Sequence, residues 1–221
     1  MDELETLGTG RSQWFFISSN VLRIHISKIS TPTIGKFMTF SPVGATRSLA
    51  YRIKLYMINV KNVNDDFCVI YNIILKLFQR ELIGFDKTNP KNLRKYFKFI
   101  NKKGIKFPIC AAGLHQLEAQ NPQHNLCLNV WNLQSDTNAL CPFYLSKNRS
   151  KNRCCVHMIM MFGGTTQRPN SHSVYITDMS AFLRCHKSGG QAGKKHLFCT
   201  SCSFFKTASP CKMRNHYRAC T

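Results

Sequence analysis

At 221 residues with 43% hydrophobic content, the chain is long enough to bury one ordinary core with a small appendage, which excludes a globally disordered protein. Its 31 Lys and Arg against 10 Asp and Glu give a formal charge of +21, and beyond Asp86 the remaining acids are Glu118, Asp136 and Asp178. Such a field favours polyanionic partners, nucleic acid first among them, without fixing any sequence preference.

The chain opens on Met-Asp-Glu-Leu-Glu-Thr, which lacks the basic and apolar regions of a secretory signal, so an intracellular protein is expected. Ser12 to Ser27 passes from an aromatic cluster into alternation, with Leu22, Ile24 and Ile26 on one side, and predicts a strand. Thr31-Pro-Thr and Ser41-Pro-Val-Gly punctuate the next stretch. Leu55 to Val60 reads as a second strand running into the turn-rich, acidic loop Asn59-Val-Lys-Asn-Val-Asn-Asp-Asp. From Phe67 the positions Val69, Ile70, Ile73, Ile74 and Leu77 recur at helical spacing, with Asn64 or Asp65 as candidate N-cap. This run contains Asn72 and Lys76 and is too short and too polar to cross a bilayer, so no membrane partner is expected.

Pro90 to Lys103 is a basic, aromatic helix candidate closed by Gly104. Leu114 to Ala119 predicts a short helix. Cys127 to Leu133, Phe143 to Ser146, Val156 to Phe162 and Ser171 to Thr177 predict strands of a mixed sheet, and Asp178 to Arg184 one or two helical turns. Ser188-Gly-Gly-Gln-Ala-Gly is a linker, and the boundary of a last small domain is set there.

Eleven cysteines is an odd number in a chain without a signal, which favours metal ligands or reactive thiols over a disulfide scaffold. Past the linker, Cys199, Cys202, His216 and Cys220 have the spacing C-x2-C-x13-H-x3-C. Two cysteines separated by two residues aim both thiolates at one point, and a histidine and cysteine four apart share one face of a helix, so these four are the expected ligands of one structural Zn2+. Ser209 as N-cap, Pro210 at the first helical position and Met213 as apolar plug complete the small module. A zinc with four protein ligands has no open position for catalysis. The last 38 residues hold eight Lys or Arg and no acid, so the finger suits nucleic acid and can equally take a protein partner.

A second constellation is Cys68, on the first turn of a helix after an acidic loop, with His172 on a distant strand: a helix N-terminus lowers a thiol pKa and a histidine can serve as its base. Asp65 and Asp178 are both candidates for the acid that orients the histidine. The plain alternative is a buried cysteine packing as a small apolar residue.

Taken in order, Gly8-Thr-Gly-Arg-Ser-Gln-Trp, Ile58-Asn-Val-Lys-Asn-Val-Asn-Asp-Asp-Phe-Cys68, Gly104-Ile-Lys-Phe-Pro108, Leu128-Asn-Val-Trp, Pro142-Phe-Tyr-Leu-Ser, His172-Ser-Val-Tyr-Ile-Thr-Asp-Met-Ser and the finger resemble the region upstream of the protein-primed family B DNA polymerase in transposons of the Maverick or Polinton type. The resemblance implies a papain-like, ovarian-tumour-like α+β core over residues 46–183, an N-terminal segment 1–45 packed on it, and a ββα finger with its linker over 184–221. It also implies a mobile-element origin and a nuclear location, and puts Cys68 and His172 in nucleophile and base positions. Ser173 stands where the family has an aromatic residue and Phe67 where it has a polar one. The carboxylate motifs of two-metal phosphoryl transfer are not found in these residues. The expected function is therefore a non-catalytic module binding nucleic acid or protein. The alternatives are a cysteine peptidase acting on ubiquitin-like or polyprotein substrates and a decayed transposon fragment.

Overall fold

The computed structural model describes residues 34–35, 55–133, 140–148, 152–165, 168–187, 197–199 and 206–220. The chain divides between Ser30 and Thr31, and everything described belongs to the unit Thr31–Thr221. The strand predicted over Ser12 to Ser27, the linker that starts at Ser188, and Cys202 lie outside the described residues.

The fold is α+β. Strands β1 (Met57–Ile58), β2 (Leu126–Leu133), β3 (Leu140–Leu145), β4 (Cys154–Thr165) and β5 (Arg168–Ile176) form one mixed sheet in the order β1-β5-β4-β2-β3, in which β2 and β4 run parallel and the other neighbours antiparallel. Pro142 stands on the edge strand β3, opposite Trp131 at a register shift, where a residue without an N–H interrupts the ladder least. Helices α1 (Cys68–Leu77), α2 (Pro90–Arg94) and α3 (Ala111–Ala119) precede β2, and α4 (Met179–Lys187) follows β5.

Alternation along the strands divides the core in two. Met158, Met160 and Tyr175 point to the side where Val69, Ile70, Ile73 and Ile74 of α1 pack, together with Leu93, Leu114 and Leu117. Ile159, Ile176 and Trp131 point to the other side, against Met179, Phe182 and Leu183 of α4. The sheet is thus covered on both faces, which explains why β2 and β4 read as largely apolar runs.

Two sequence expectations change in detail. The helix begins at Cys68 itself: its N-cap is Phe67, with no side-chain cap, and Asp65 acts one step earlier by accepting from the Phe67 N–H at 3.1 Å. The helix predicted over Pro90 to Lys103 is α2, capped by Asn89, followed by a separate 3-10 turn at Phe97–Phe99. A continuous helix presents one face to a neighbour, whereas here Tyr96 stacks on Phe78 at 4.4 Å while Phe97 meets Phe67 and Tyr71 at 5.5 and 5.0 Å; the break lets consecutive aromatics pack inward. Gly104, φ 74°, takes the left-handed conformation that glycine adopts without strain.

Ile34 is fully buried and pairs with Ile109, and the Gly35 N–H donates to the Ser171 carbonyl at 2.9 Å, so this short piece of chain lies along β5. No helix among the described residues is long and apolar enough to cross a membrane.

Candidate metal centre and the Cys68 region

The C-terminal module is built from β6 (Leu197–Phe198), β7 (Lys206–Thr207) and α5 (Pro210–Ala219), with β6 and β7 antiparallel. Ser209 caps α5 through its hydroxyl, accepting from the Lys212 N–H at 3.4 Å, Pro210 is the first helical residue, and Met213 is buried. Cys199 directly follows the hairpin's first strand, and the helix delivers His216 from its last turns and Cys220 from its C-cap.

The Cys199, His216 and Cys220 donor atoms all lie within 4.8 Å of one another. The Cys199 and Cys220 sulfurs are 3.7 Å apart. That is far beyond a disulfide bond of about 2 Å. It matches the edge of about 3.8 Å expected between two thiolates on a tetrahedral ion with metal–sulfur bonds of about 2.3 Å. Three soft or borderline donors converging in a small half-buried cluster could hold a metal ion, and the expected fourth ligand, Cys202, lies outside the described residues.

Cys68 is fully buried at the N-terminus of α1, in contact with β5 through Ser173, whose hydroxyl and backbone N–H lie against the thiol. Burial pushes this thiol up to about 11, an effect that outweighs the stabilising contacts from Ser173 and the Val69 N–H. The Asn72 Nδ2 on the next turn donates to the Ser173 Oγ at 2.8 Å, so Ser173 projects toward α1. His172, its neighbour in the strand, projects to the opposite face. It is also fully buried; its Nε2–H donates to the Asn59 Oδ1 at 2.7 Å, and Nδ1 lies 3.5 Å from the Gly35 carbonyl.

Neither candidate acid is a described partner of this imidazole. Asp178 accepts from the Ala181 N–H at 2.8 Å and so caps α4. Asp65 receives Tyr71 Oη and Arg94 Nη2 at 2.8 Å each and Asn62 Nδ2 at 3.2 Å, as well as the Phe67 N–H. Burial alone would raise its pKa, but Arg94 and then the Tyr71, Phe67 and Asn62 donors hold the carboxyl below its ordinary value. The residue that sequence reasoning missed is Asn59. It follows β1, whose antiparallel pairing with β5 carries it diagonally to His172.

On the parallel pair β2 and β4, Cys127 lies directly opposite Cys155. The Cys127 thiol donates to Cys155, which with nearby Arg153 lowers the Cys155 pKa and raises that of Cys127. Mapping alkylation by mass spectrometry at pH 7.5 should find partly exposed Cys155 and exposed Cys211 modified well before Cys68; rapid labelling of Cys68 in the folded protein contradicts the buried, protonated thiol.

His157, two residues on, is buried; its Nδ1 lacks a hydrogen-bond partner among the described residues, and burial, with Lys76 and Arg153, lowers its pKa to about 4. A depressed histidine leaves stability unaffected above the unfolded value near 6.5 and costs stability as pH falls from there toward 4, because only the unfolded chain then binds the proton. Urea titrations should show a loss of about 2–3 kcal/mol across that window. In His157→Gln that part of the loss should vanish; an unchanged profile assigns the acid sensitivity elsewhere.

Comparison with protein-family models, curated proteins and solved structures found no match.

Proposed function

We propose that this chain is a non-catalytic nucleic-acid-binding module of mobile-element origin, working in the nucleus, in which a papain-like α+β core carries a zinc finger. The observation that carries the reading is the convergence of Cys199, His216 and Cys220 on one point of a hairpin-plus-helix unit, in a chain with a formal charge of +21. With Cys202 as fourth ligand, Zn2+ would stiffen the unit without offering a catalytic position. The polyanion-seeking charge and the resemblance to the region upstream of a transposon polymerase both favour DNA as the partner. The buried thiol, protonated at neutral pH and facing Ser173, supports the absence of catalysis.

Fluorescence anisotropy of the full chain with a labelled duplex tests this. About four phosphate contacts give an affinity that falls about a hundredfold between 50 and 200 mM salt. Cys199→Ala should weaken the duplex affinity. Absence of binding at low salt, or binding indifferent to salt, overturns the reading.

The second reading, a cysteine peptidase with Cys68 as nucleophile, His172 as base and Asn59, 2.7 Å from His172, as orienter in place of an aspartate, requires the imidazole to leave the face of β5 opposite Ser173 and reach the buried thiol. A ubiquitin or peptide probe directed at thiols decides it: labelling of Cys68 above a Cys68→Ala control supports the peptidase, and equal signals remove it.

A further inference from the structure

The stretch from Ile83 to Lys106 holds eight Lys or Arg and one acid, Asp86, whose carboxylate is engaged by the N–H and hydroxyl of Thr88. Within it the Arg94 charge is paired with Asp65, but three of the seven lysines, Lys95, Lys98 and Lys102, are arranged differently: they stand over aromatic rings. Lys95 Nζ is 4.8 Å from the Phe85 ring centre and 5.1 Å from that of Tyr96, Lys98 is 5.2 Å from Phe99, and Lys102 is 5.4 Å from Phe97. Phe85 and Phe99 remain 49% and 45% exposed, and Ile83 74%. Large rings left in water beside cations are costly to a surface whose only task is solubility. A groove of about 560 Å³ runs along the same segment, lined by Phe97, Lys98, Phe99, Asn101, Lys102 and Gln123.

We propose that this lysine-and-phenylalanine face binds single-stranded nucleic acid, with bases stacked on Phe85 and Phe99 and the phosphates on Lys95, Lys98, Lys102 and Lys103. The proposal deepens the nucleic-acid reading and rests on it, but it assigns a site on the core and a different strand state. A duplex hides the faces of its bases and offers only its phosphates to such a surface. An unpaired strand offers both, and ring-to-base stacking interleaved with ammonium-to-phosphate contacts is the chemistry of sequence-tolerant single-strand binding. The aromatic packing beneath keeps the platform in place: Phe99 is 5.4 Å from Phe78, which in turn stacks on Tyr96.

The test uses the full chain and labelled oligo-dT, oligo-rU and a duplex of equal length in anisotropy titrations. Phe85→Ala and Phe99→Ala should each weaken binding of the single strands about tenfold and leave the duplex within about twofold. Lys98→Gln with Lys103→Gln, which leaves the rings in place, should lower the salt slope for single strands by about 1.4. Cys199→Ala should spare single-strand binding while weakening the duplex. A preference between oligo-dT and oligo-rU identifies the sugar that the site takes. Single-strand affinities unchanged by both sets of substitutions, with duplex binding intact, overturn this site and leave the finger's role standing; a parent chain that binds single strands but no duplex overturns the finger's role and leaves this site. If neither form binds, both fall.

Discussion

Cys199→Ala should abolish stoichiometric metal binding and unfold the C-terminal finger. Its hairpin consists of two-residue strands and its helix of ten residues, Pro210–Ala219, with Met213 as a buried apolar residue, far too little surface to offset the conformational entropy of ordering the segment. A metal ion held by the Cys199, His216 and Cys220 group would make up the difference: in isolated zinc-finger peptides its binding contributes on the order of 10–16 kcal/mol and is inseparable from folding. The expected measurements are loss of one equivalent of zinc in native metal analysis and a fall in helical circular dichroism sized to α5. Among the described residues, the two hydrophobic clusters of the core include none from the C-terminal hairpin and helix, so the main unfolding transition should persist. A parent protein purified natively without zinc, or a Cys199→Ala variant that keeps it, removes the metal centre.

Asp65→Ala should destabilise the core by about 4 kcal/mol. The carboxylate is a hub: its side chain is 9% exposed, and it accepts from Asn62, the Phe67 N–H, Tyr71 and Arg94. Truncation leaves the buried Asn62 amide with fewer partners, strips the helix entry of its anchor and strands a guanidinium beside a phenol. Asp65→Asn should recover only part, since a neutral amide cannot match the charge of Arg94. Because the carboxyl's pKa is depressed in the folded chain, its contribution is present above the unfolded value of 3.8 and is lost as pH falls through the folded one. Denaturant midpoints of the three proteins at pH 7 and near pH 3 test this. A variant as stable as the parent at pH 7 refutes the hub, and a gap between parent and variant that does not narrow in acid refutes the electrostatic part.

The sequence made different parts of this molecule visible for different physical reasons. The convergence of Cys199, His216 and Cys220 was legible because these donors are close in sequence and helix geometry fixes the relation of His216 to Cys220. The start of α1 was legible to within two or three residues: the candidate caps Asn64 and Asp65 precede the observed cap, Phe67, because Asp65 is drawn off by the Phe67 N–H, Tyr71 and Arg94. The strands β4 and β5 run longer than predicted because Gly163 and Gly164 read as loop residues, yet they pair with Asn170 and Pro169 in the ladder. The surroundings of His172 were illegible. Its bond to Asn59 spans 113 residues and depends on the register of β1 against β5. The face it occupies was hidden as well, because a strand buried on both sides has no polar alternation to say which way any residue points. Asp65 looked like a candidate orienter because a carboxylate three residues before a cysteine suggests one, while Tyr71 and Arg94, the partners that claim it, lie 6 and 29 residues away.

Ile34 and Gly35 hold together parts of the chain made at very different times. Ile34 meets Ile109, 75 residues later, and Gly35 reaches Ser171, 136 residues later. A Cβ on Gly35 would come within 2.8 Å of the Asp66 carboxylate and 3.0 Å of Pro108, so the approach that these partners make is a backbone one, closed to any larger side chain. On a ribosome this early segment emerges long before the strand that secures it. Its apolar residue must wait while helices α1 to α3 gather their local contacts, and only the arrival of β5 closes the large loops. The core therefore rests on contacts of long sequence separation, the kind that slow folding in general, and a nascent chain stopped short of β5 leaves Ile34 without its finished setting.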